Sequence, residues 1–332
     1  MQYKRIGRTG IQVSPFCLGA MTFGSQVNEA DAINVVKAAV DAGVNFFDTA
    51  DSYTDGKSEE ILGKALKGVR SSAVIATKVG FNFSKAPNER GLSRKYIRNR
   101  IDESLRRLQT DYIDLYYAHF PDFNTPIEET LLAMDDLIHQ GKVLYLGCSN
   151  FTGWQLSQAL KVSERCNLAR FECIEPPYNL LTRDIEVELL PLCDIEEIGV
   201  CVYNPLAGEM LTGRHEFGKP PAEGRFTMKD MGKGYLERYW SEINFKAVDM
   251  LKQAAKDHGC TLPQFSLAWI LSNKSITSLL SGSISVEQLK ENLSALEIEL
   301  SPQELQICDD VWAMFRPPRY FYGVDGRIRK PL

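Results

Sequence analysis

Four side chains of the kinds that transfer protons lie at or near the ends of three apolar segments. Asp48 lies near the end of segment 45–49, and Tyr53 follows shortly after it. Lys78 ends segment 74–78, and His119 ends segment 113–119. A lysine at the end of an apolar segment is costly to bury without a counter-charge, and Asp48 is the obvious partner. The pattern predicts that these side chains meet at one edge of a sheet.

Together these residue types favour proton transfer to a carbonyl oxygen. A tyrosine phenol has a pKa of about 10, so it is a weak acid at neutral pH. A lysine ammonium beside the phenol lowers its pKa and makes proton transfer to a developing alkoxide feasible. Asp48 would hold Lys78, and a neutral His119 would orient the carbonyl oxygen. There is no Gly-x-Ser-x-Gly motif, and the four histidines lack metal-ligand spacing, so no metal is expected. Carbonyl chemistry with an external hydride donor is the hypothesis.

Short apolar segments alternate with amphipathic ones along most of the 332 residues. The apolar segments predicted as strands are 16–21, 45–49, 74–78, 113–119, 143–149, 171–175, 200–204 and 277–281. Helical periodicity predicts helices at 29–42, 59–66, 94–108, 127–140, 154–165, 185–197 and 286–296. About eight strand–helix units without a long polar linker predict an α/β fold, namely a (β/α)8 TIM barrel spanning residues 1–332 as a single domain.

The sequence also predicts two elements outside the barrel, and it argues against one other architecture. Residues 3–13 predict an N-terminal β-hairpin, and residues 302–315 predict an extra C-terminal helix. Residues 205–240 are rich in glycine, proline and charge and predict a long loop. A doubly wound sheet would require Gly-x-Gly-x-x-Gly after the first strand, and the chain contains no such motif.

Composition limits the partners and the compartment. The 38 basic and 43 acidic residues give a net charge of −5, so no nucleic acid partner is expected. No apolar run approaches the roughly 20 residues that span a membrane, and no signal peptide is recognised. The cysteines in apolar strands are typical of reduced thiols, which predicts a cytoplasmic protein. The sequence leaves the oligomeric state open.

Seven motifs in order resemble those of the aldo-keto reductase superfamily, and the resemblance covers essentially the whole chain. They are 18–24 (LGAMTFG), 48–53 (DTADSY), 58–59 (SE) with 62–66 (LGKAL), 77–78 (TK), 147–150 (GCSN), 203–208 (YNPLAG) and 282–285 (GSIS). The resemblance implies an NAD(P)H-dependent oxidoreductase that reduces an aldehyde or ketone to an alcohol. It also implies a catalytic tetrad of Asp48, Tyr53, Lys78 and His119, with Tyr53 as the general acid.

The resemblance further implies a nicotinamide cofactor bound without a Rossmann domain, with NADPH favoured and NADH possible. Ser149 and Asn150 would hold its carboxamide, and Tyr203 would stack on the nicotinamide ring. The other implied cofactor contacts are Gly19, Ala20, Met21, Asp48, Glu175, Asn204, Pro205, Leu206, Ala207, Gly208, Leu211, Gly213, Arg214, Arg225, Gly282, Ser283, Ser285, Gln288, Glu291 and Asn292.

The long loop is similar to that of the aflatoxin-aldehyde and succinic-semialdehyde reductase subfamily. The similarity lies in residues 224–226 (GRF), Tyr235 and residues 238–240 (RYW). The implied substrate contacts are Phe23, Tyr53, His119, Tyr235 and Arg238. Because an arginine presents a planar fork that suits a carboxylate, an aldehyde with a distal acid group would fit. The alternative is that Arg238 is an ordinary charge at a helix start.

Two positions depart from the pattern of the family. Glu175 stands where a glutamine is usual, and an ionised glutamate cannot donate a hydrogen bond as glutamine does. Either cofactor affinity suffers or Glu175 pairs with a neighbouring cation. Ile284 and Ser285 stand where many members have a basic residue for the 2′-phosphate of NADPH, so Ser283, Ser285 and Arg225 would have to bind it.

Two further functions fit the same motifs. The reverse reaction would make the protein a sugar or secondary-alcohol dehydrogenase. Potassium-channel β subunits share this fold, so a cofactor-sensing binding subunit is the third hypothesis. In each enzymatic case the partner is a small carbonyl or alcohol substrate.

Overall fold

Eight parallel strands close into a barrel in the computed structural model, which describes residues 1–81, 84, 86–222, 224–229 and 232–316. The strands in chain order are the antiparallel pair β1 (Lys4–Arg5) and β2 (Gln12–Val13), then the barrel strands β3 (Phe16–Gly19), β4 (Phe46–Asp48), β5 (Val74–Val79), β6 (Ile113–Ala118), β7 (Val143–Ser149), β8 (Phe171–Glu175), β9 (Gly199–Val202) and β10 (Ser278–Ser281). Each barrel strand pairs with the next, and β10 closes onto β3. The predicted (β/α)8 barrel and its N-terminal hairpin are confirmed.

The helices follow the strands as the periodicity predicts, with three exceptions. They are α1 (Glu29–Asp41), α2 (Lys57–Ala65), α3 (Arg94–Leu108), α4 (Ile127–His139), α5 (Gly153–Cys166), α6 (Leu189–Glu196), α7 (Gly232–Tyr239), α8 (Glu242–His258), α9 (Leu262–Ser272), α10 (Val286–Ser294) and α11 (Pro302–Ala313). Helix α7 lies within the predicted loop 205–240, and α8 and α9 were not among the helices predicted from the sequence. In α9 seven of the eleven residues are buried, including all of 265–270, so it lacks the regular polar face that marks an amphipathic helix.

The described residues group into two compact units. The first comprises residues 1–176, 188–203 and 275–290, and contains the whole barrel with α1 to α6. The second comprises residues 177–187, 204–274 and the chain from 291 onward. The single-domain organisation stays a prediction. Among the helices described here, none has the length and apolar character needed to cross a bilayer.

The barrel interior determines which side chains reach the barrel mouth. The buried core cluster includes Cys17, Phe46, Ala76, Tyr117, Cys173 and Cys201, one from each of six strands. Because side chains alternate along a strand, the residues two positions further share the inward orientation of these core residues. Those residues are Gly19, Asp48, Lys78, His119, Glu175 and Tyr203. The carboxyl ends of the strands therefore carry the predicted site residues, as expected for this fold.

The ring of Tyr117 fills the space beside a glycine on the neighbouring strand. Tyr117 pairs in register with Gly147, and a Cβ on Gly147 would lie 2.5 Å from atoms of the Tyr117 ring. The Tyr117 hydroxyl lies 3.2 Å from the Cys173 Sγ. The absent side chain of Gly147 thus lets one aromatic ring pack across the barrel interior.

Helices α2 and α3 are held to the barrel by buried hydrogen bonds from motif residues. The Thr77 hydroxyl on β5 donates to Glu59 at 2.6 Å, and Glu59 accepts from the Arg107 guanidinium at 2.6 Å. The Ser58 hydroxyl donates to the carbonyl oxygen of Ala20 at 2.7 Å. Motif residues 58–59 therefore have a structural role, since they position Ala20 after β3 and Thr77 on β5, the strands on either side of Asp48.

A second buried ion pair supports the loop between Asp48 and Tyr53. Asp51 is 1% exposed and pairs with Arg100 of α3 at 2.9 Å. Its backbone N–H donates to the carbonyl oxygen of Lys78 at 3.2 Å. Burial raises the pKa of Asp51 to about 6, although the Arg100 charge opposes this shift. The loop is thus fixed to both β5 and α3.

We predict that Gly147→Ala destabilises the barrel by about 1–3 kcal/mol, because the added methyl group overlaps the Tyr117 ring. Urea unfolding followed by circular dichroism measures the change. Gly10→Ala is the matched control, since a Cβ at Gly10 meets no atom within 4 Å. Equal stability of the two variants would contradict the packing argument.

We predict a pH-dependent effect for Asp51→Asn. The folded state binds the Asp51 proton more tightly than the unfolded state, so the contribution of Asp51 to stability is complete below pH of about 4 and decreases towards pH 6. The free energy of unfolding of the wild type minus that of the variant should therefore fall by about 3 kcal/mol across this interval. Urea unfolding at a series of pH values measures it.

Asp122→Asn provides a control of opposite sign. Burial alone would raise the pKa of Asp122, but the N–H groups of Leu92 and Asn124 and the Thr125 hydroxyl donate to it and lower it. Its contribution to stability is therefore lost as the pH falls, and the wild-type-minus-variant difference should rise with pH. The same slope for both variants would contradict the assignment for Asp51.

Candidate active site

The side chain of Lys78 lies at the centre of the site and is completely buried. Its ammonium group is ion-paired with Asp48, donates to the carbonyl oxygen of Thr49 at 3.0 Å, and lies 3.3 Å from Oε1 of Glu175. Glu175 therefore lies beside a neighbouring cation, as one of the two sequence-based alternatives expects, and its effect on cofactor affinity stays a prediction. Lys78 holds two carboxyl groups from strands on different sides of the barrel.

The charges of this cluster follow from burial and from mutual attraction. Burial alone would lower the pKa of Lys78, but Asp48 and Glu175 outweigh it and raise the pKa above its usual value. Burial raises the pKa of Asp48, although Lys78 opposes this. Burial and the negative charge of Asp48 raise the pKa of Glu175 well above its usual value. Lys78 is therefore a charged ammonium at neutral pH.

Tyr53 is held beside Lys78 by a short 3-10 turn, Tyr53–Gly56, that follows β4. Thr54 and Asp55 in this turn have left-handed backbone conformations, with φ of 48° and 52°. The Lys78 Nζ lies 5.4 Å from the centroid of the Tyr53 ring. Burial raises the pKa of the phenol, and the Lys78 charge offsets only part of that rise. The expected lowering below the ordinary pKa is not found, because burial outweighs the Lys78 charge and the two carboxyl groups add to the rise.

His119 completes the cluster directly after β6. Its ring centroid lies 6.0 Å from that of Tyr53, and it is flanked by Phe81 at 5.5 Å and Phe120 at 5.0 Å. Burial and the charge of Lys78 lower the pKa of His119 well below its usual value. The imidazole is therefore neutral at neutral pH, as predicted from the sequence. The structure brings the four residues of the predicted tetrad together.

A second group of predicted site residues lies next to the tetrad. Asn150 has a left-handed backbone, and its Oδ1 accepts from the Tyr203 hydroxyl at 2.8 Å. Its side-chain N–H groups donate to Ser149 Oγ and to the His119 carbonyl oxygen, both at 3.0 Å. The Ser149 hydroxyl donates to the Glu175 carbonyl oxygen at 2.8 Å. Ser149, Asn150 and Tyr203 thus form one hydrogen-bonded group.

Two glycines leave an open strip of backbone at the barrel mouth. A Cβ on Gly19 would come no closer than 3.8 Å to the Gly282 backbone, and a Cβ on Gly282 would lie 3.7 Å from the Gly19 carbonyl oxygen. Neither glycine has a left-handed backbone. The fold therefore does not require glycine at either position. The bare backbone fits the close approach of a flat ligand such as the implied cofactor.

The remaining predicted contacts of the first unit lie near these groups in the chain. The Ala20 N–H donates to the Asp48 carbonyl oxygen at 2.8 Å, and Met21 is partly buried. Ser283 is fully buried, and Ser285 Oγ accepts from the Gln288 N–H at the start of α10. Phe23 has no exposed surface, so its contact with substrate stays a prediction.

The predicted contacts in the second unit form a connected group of their own. Asn204 Oδ1 accepts from the Gly208 N–H at 2.7 Å, and a Cβ on Gly208 would lie 2.4 Å from the Tyr235 ring. Arg225 donates to the Tyr235 hydroxyl at 3.3 Å, and the Arg238 guanidinium lies 5.9 Å from the centroid of the Tyr235 ring. Tyr235 therefore connects the residues that the subfamily resemblance singled out.

The other predicted cofactor contacts of the second unit make fewer contacts with one another. The segment Ala207–Thr212 is a 3-10 turn that Gly213 ends, and Arg214 pairs with Glu209. Pro205, Ala207 and Leu211 are buried, and Leu206 is partly exposed. Glu291 accepts from the Thr261 hydroxyl at 3.3 Å, whereas Asn292 is buried. Their roles toward a cofactor stay predictions.

Sequence reasoning did not identify two residues that support the site. The centroid of the Tyr117 ring lies 5.7 Å from the Lys78 Nζ. The inward orientation of Tyr117 follows from its position two residues before His119. Asp51 lies inside the motif 48–53, yet nothing in its spacing indicates the ion pair with Arg100. The alternation along β6 could have revealed the first residue, while the second depends on a distant helix.

Comparison with known proteins agrees with this geometry. The sequence profile of the Aldo/keto reductase family matches residues 15–313. A relative from Oryza sativa subsp. japonica, named probable voltage-gated potassium channel subunit beta, is 39% identical over 303 residues, which are 90% of this chain and 92% of that protein. A relative from Arabidopsis thaliana with the same name is 38% identical over the same shares. The chain therefore belongs to the aldo/keto reductase family, whose members are oxidoreductases that generally use NAD(P)H.

Proposed function

We propose that the protein is an NADPH-dependent reductase that converts an aldehyde or ketone to the alcohol. The observation that carries this proposal is the buried Lys78 ammonium beside both the Tyr53 phenol and the neutral His119 ring. None of these groups suits acyl transfer, whereas a phenol next to an ammonium suits proton donation to an alkoxide. A cytoplasmic location remains part of this proposal.

Each residue of the tetrad has a distinct part in the reaction. Tyr53 keeps its proton at neutral pH and donates it to the carbonyl oxygen as negative charge develops there. Lys78 stabilises the phenolate that remains, and Asp48 holds Lys78 in place. The neutral His119 orients the carbonyl oxygen through a ring N–H. The bound cofactor supplies the hydride that reduces the carbonyl carbon.

The hydrogen-bonded group and the two glycines would hold the nicotinamide end of the cofactor. Ser149 Oγ and Asn150 Oδ1 each accept one internal hydrogen bond and can accept a second from the N–H groups of a carboxamide, and Tyr203 offers an aromatic face. The absence of side chains at Gly19 and Gly282 leaves room for a planar ring. Because Ile284 and Ser285 stand where many family members carry a basic residue, we assign the preference for NADPH over NADH to Ser283, Ser285 and Arg225.

The reverse reaction is the first alternative. A sugar or secondary-alcohol dehydrogenase would use the same residues with Tyr53 as the base. Turnover with NADP+ and alcohols, compared at fixed pH with turnover on NADPH and aldehydes, separates the two directions.

The names of the relatives favour a second candidate function. Both relatives are named as probable channel β subunits, and they match 90% of this chain. A cofactor-binding subunit of a membrane protein would copurify with that partner and would reduce every carbonyl compound very slowly. Rapid turnover on any aldehyde of a panel would favour the reductase instead.

We predict that Tyr53→Phe lowers kcat for aldehyde reduction by about a hundredfold to ten-thousandfold, because the variant lacks the proton donor. Steady-state oxidation of NADPH with a small aldehyde measures kcat, and fluorescence titration measures NADPH affinity. We expect the affinity to change little.

Tyr116→Phe is the matched control for this experiment. Tyr116 is the neighbour of Tyr117 on β6, is fully buried, and its hydroxyl has no hydrogen-bond partner among the described residues. Its removal should leave kcat within about threefold of the wild type, since this hydroxyl donates no proton in the proposed reaction. Near-normal kcat in Tyr53→Phe would exclude Tyr53 as the general acid.

We predict that Arg238→Ala raises KM at least about tenfold for aldehydes that carry a distal carboxylate, because a hydrogen bond to a charged group contributes about 1.5–3 kcal/mol. Uncharged aldehydes of the same length should show little change. Lys233→Ala is the control, since Lys233 lies on the same helix with its side chain 89% exposed. Equal losses on both classes of aldehyde would disprove the carboxylate contact.

A further inference from the structure

Two carboxyl groups share one ammonium in the barrel mouth. The side chains of Lys78, Asp48 and Glu175 are 0%, 3% and 4% exposed, so water does not screen them. If both carboxyls were ionised, the cluster would carry one uncompensated negative charge in a buried site. Burial of an uncompensated charge is strongly unfavourable, and one of two adjacent carboxyls then retains its proton.

Around Glu175, the described part of the chain offers no second counter-charge. Besides Lys78 and Asp48, the titratable groups that interact with it are Tyr53 after β4, Tyr117 on β6, Cys17 on β3 and Cys201 on β9. Burial raises the pKa of Tyr53, Tyr117 and Cys17, and the hydrogen bond with Cys173 together with burial raises the pKa of Cys201, so all four are neutral at neutral pH. Among the described residues, the charges that act on Glu175 are therefore those of Lys78 and Asp48.

The free oxygen atoms of the two carboxyls indicate where the proton lies. Asp48 Oδ2 and Glu175 Oε2 are buried, and neither accepts from an N–H or O–H donor among the described residues. Asp48 is ion-paired with the Lys78 ammonium and accepts a hydrogen bond from it, whereas Glu175 Oε1 lies 3.3 Å from Nζ. The closer contact with the ammonium favours the negative charge on Asp48 and leaves the proton to Glu175.

We propose that Asp48 and Glu175 share one proton at neutral pH, carried by Glu175, and that this proton controls binding of the nicotinamide cofactor. The second part rests on the proposed function. A protonated carboxyl can both donate and accept a hydrogen bond, as a glutamine amide does, whereas a carboxylate can only accept. When Glu175 releases its proton to solvent at high pH, the site loses this donor and gains a negative charge. Glu175 is therefore a positioning residue whose effect depends on pH.

The proton pair is tested first on the protein without cofactor, by urea unfolding of the wild type and of Glu175→Gln at a series of pH values. A carboxyl that keeps its proton in the folded state loses its contribution to stability as the pH rises above about 4. The unfolding constant of the wild type, divided by that of the variant, should then rise about tenfold per pH unit until Glu175 ionises. A ratio that falls with pH would mean that Glu175 is an ordinary ionised partner of Lys78, and would overturn the proposal.

An infrared measurement keeps this test informative if the variant does not fold. The wild type should show the carbonyl-stretch band of a protonated carboxyl above the pH at which Asp51 ionises. The band should disappear at higher pH, with one proton released per chain. Absence of this band at every pH would also overturn the proposal of a shared proton.

Cofactor control is tested by NADPH affinity, measured from nicotinamide fluorescence between neutral and alkaline pH. In the wild type the dissociation constant should rise about tenfold per pH unit above the apparent pKa of the pair, and Glu175→Gln should lack this rise. Glu172→Gln is the matched control, because Glu172 lies on the same strand and pairs with Arg8. The control should follow the wild type. Identical pH dependence in the wild type and Glu175→Gln would overturn the cofactor role.

The unfolding and NADPH-binding experiments together separate this proposal from the proposed function. If NADPH does not bind at any pH while the unfolding ratio rises as expected, the shared proton stands and the reductase proposal fails. If NADPH binds and is oxidised but the ratio falls with pH, the reductase stands and the shared proton is disproved.

Discussion

The burial of one lysine ammonium governs the arrangement of the barrel mouth. An isolated ammonium in such an environment would be strongly unfavourable, so the surrounding strands must supply compensating groups. Asp48 comes from β4, the Thr49 carbonyl from the loop after it, and Glu175 from β8 on another side of the barrel. Strands that are distant in sequence are therefore tied together at one charged atom.

The residues of the sequence motifs divide into those that act and those that hold others in place. In the proposed reaction, Asp48, Tyr53, Lys78 and His119 supply the chemistry. Glu59 and Thr77 belong to equally distinct motifs, but their hydrogen bonds connect α2, α3 and β5 beneath the site. A motif therefore marks a place where the structure tolerates little change, and only the contacts show whether the reason is catalysis or support.

Much of the fold could be predicted from local patterns, because strands covered on both faces and amphipathic helices have distinct periodicities. The bounds of β7, β8 and α3 agree with the sequence prediction to the residue. Helix α9 was not predicted because its residues 265–270 are all buried, and this run removes the periodic signal. The helix α7 within 205–240 was hidden by the glycines and charges of that segment.

The tetrad could be found from the sequence because Asp48, Lys78 and His119 lie at or next to the ends of successive strands, and parallel strands end at the same edge. Tyr53 follows shortly after Asp48 in the chain. The contact of Glu175 with Lys78 could not be found from the sequence, because it depends on which side chains meet across the barrel interior. The upward shift of the Tyr53 pKa was missed for a related reason. Sequence spacing shows the neighbouring lysine, but it reveals neither the burial of the phenol nor the second carboxyl group beside it.

The alternation of side chains along the short strands has a consequence for how such a protein can change over time. Asp48 lies two residues after Phe46, so one inserted residue between them would exchange the inward and outward positions and remove the carboxylate from Lys78. An insertion in a connection beyond the barrel mouth would leave that order intact. Heritable variation in length is thus confined to the loops, where it can alter which molecules are recognised while the reaction is preserved.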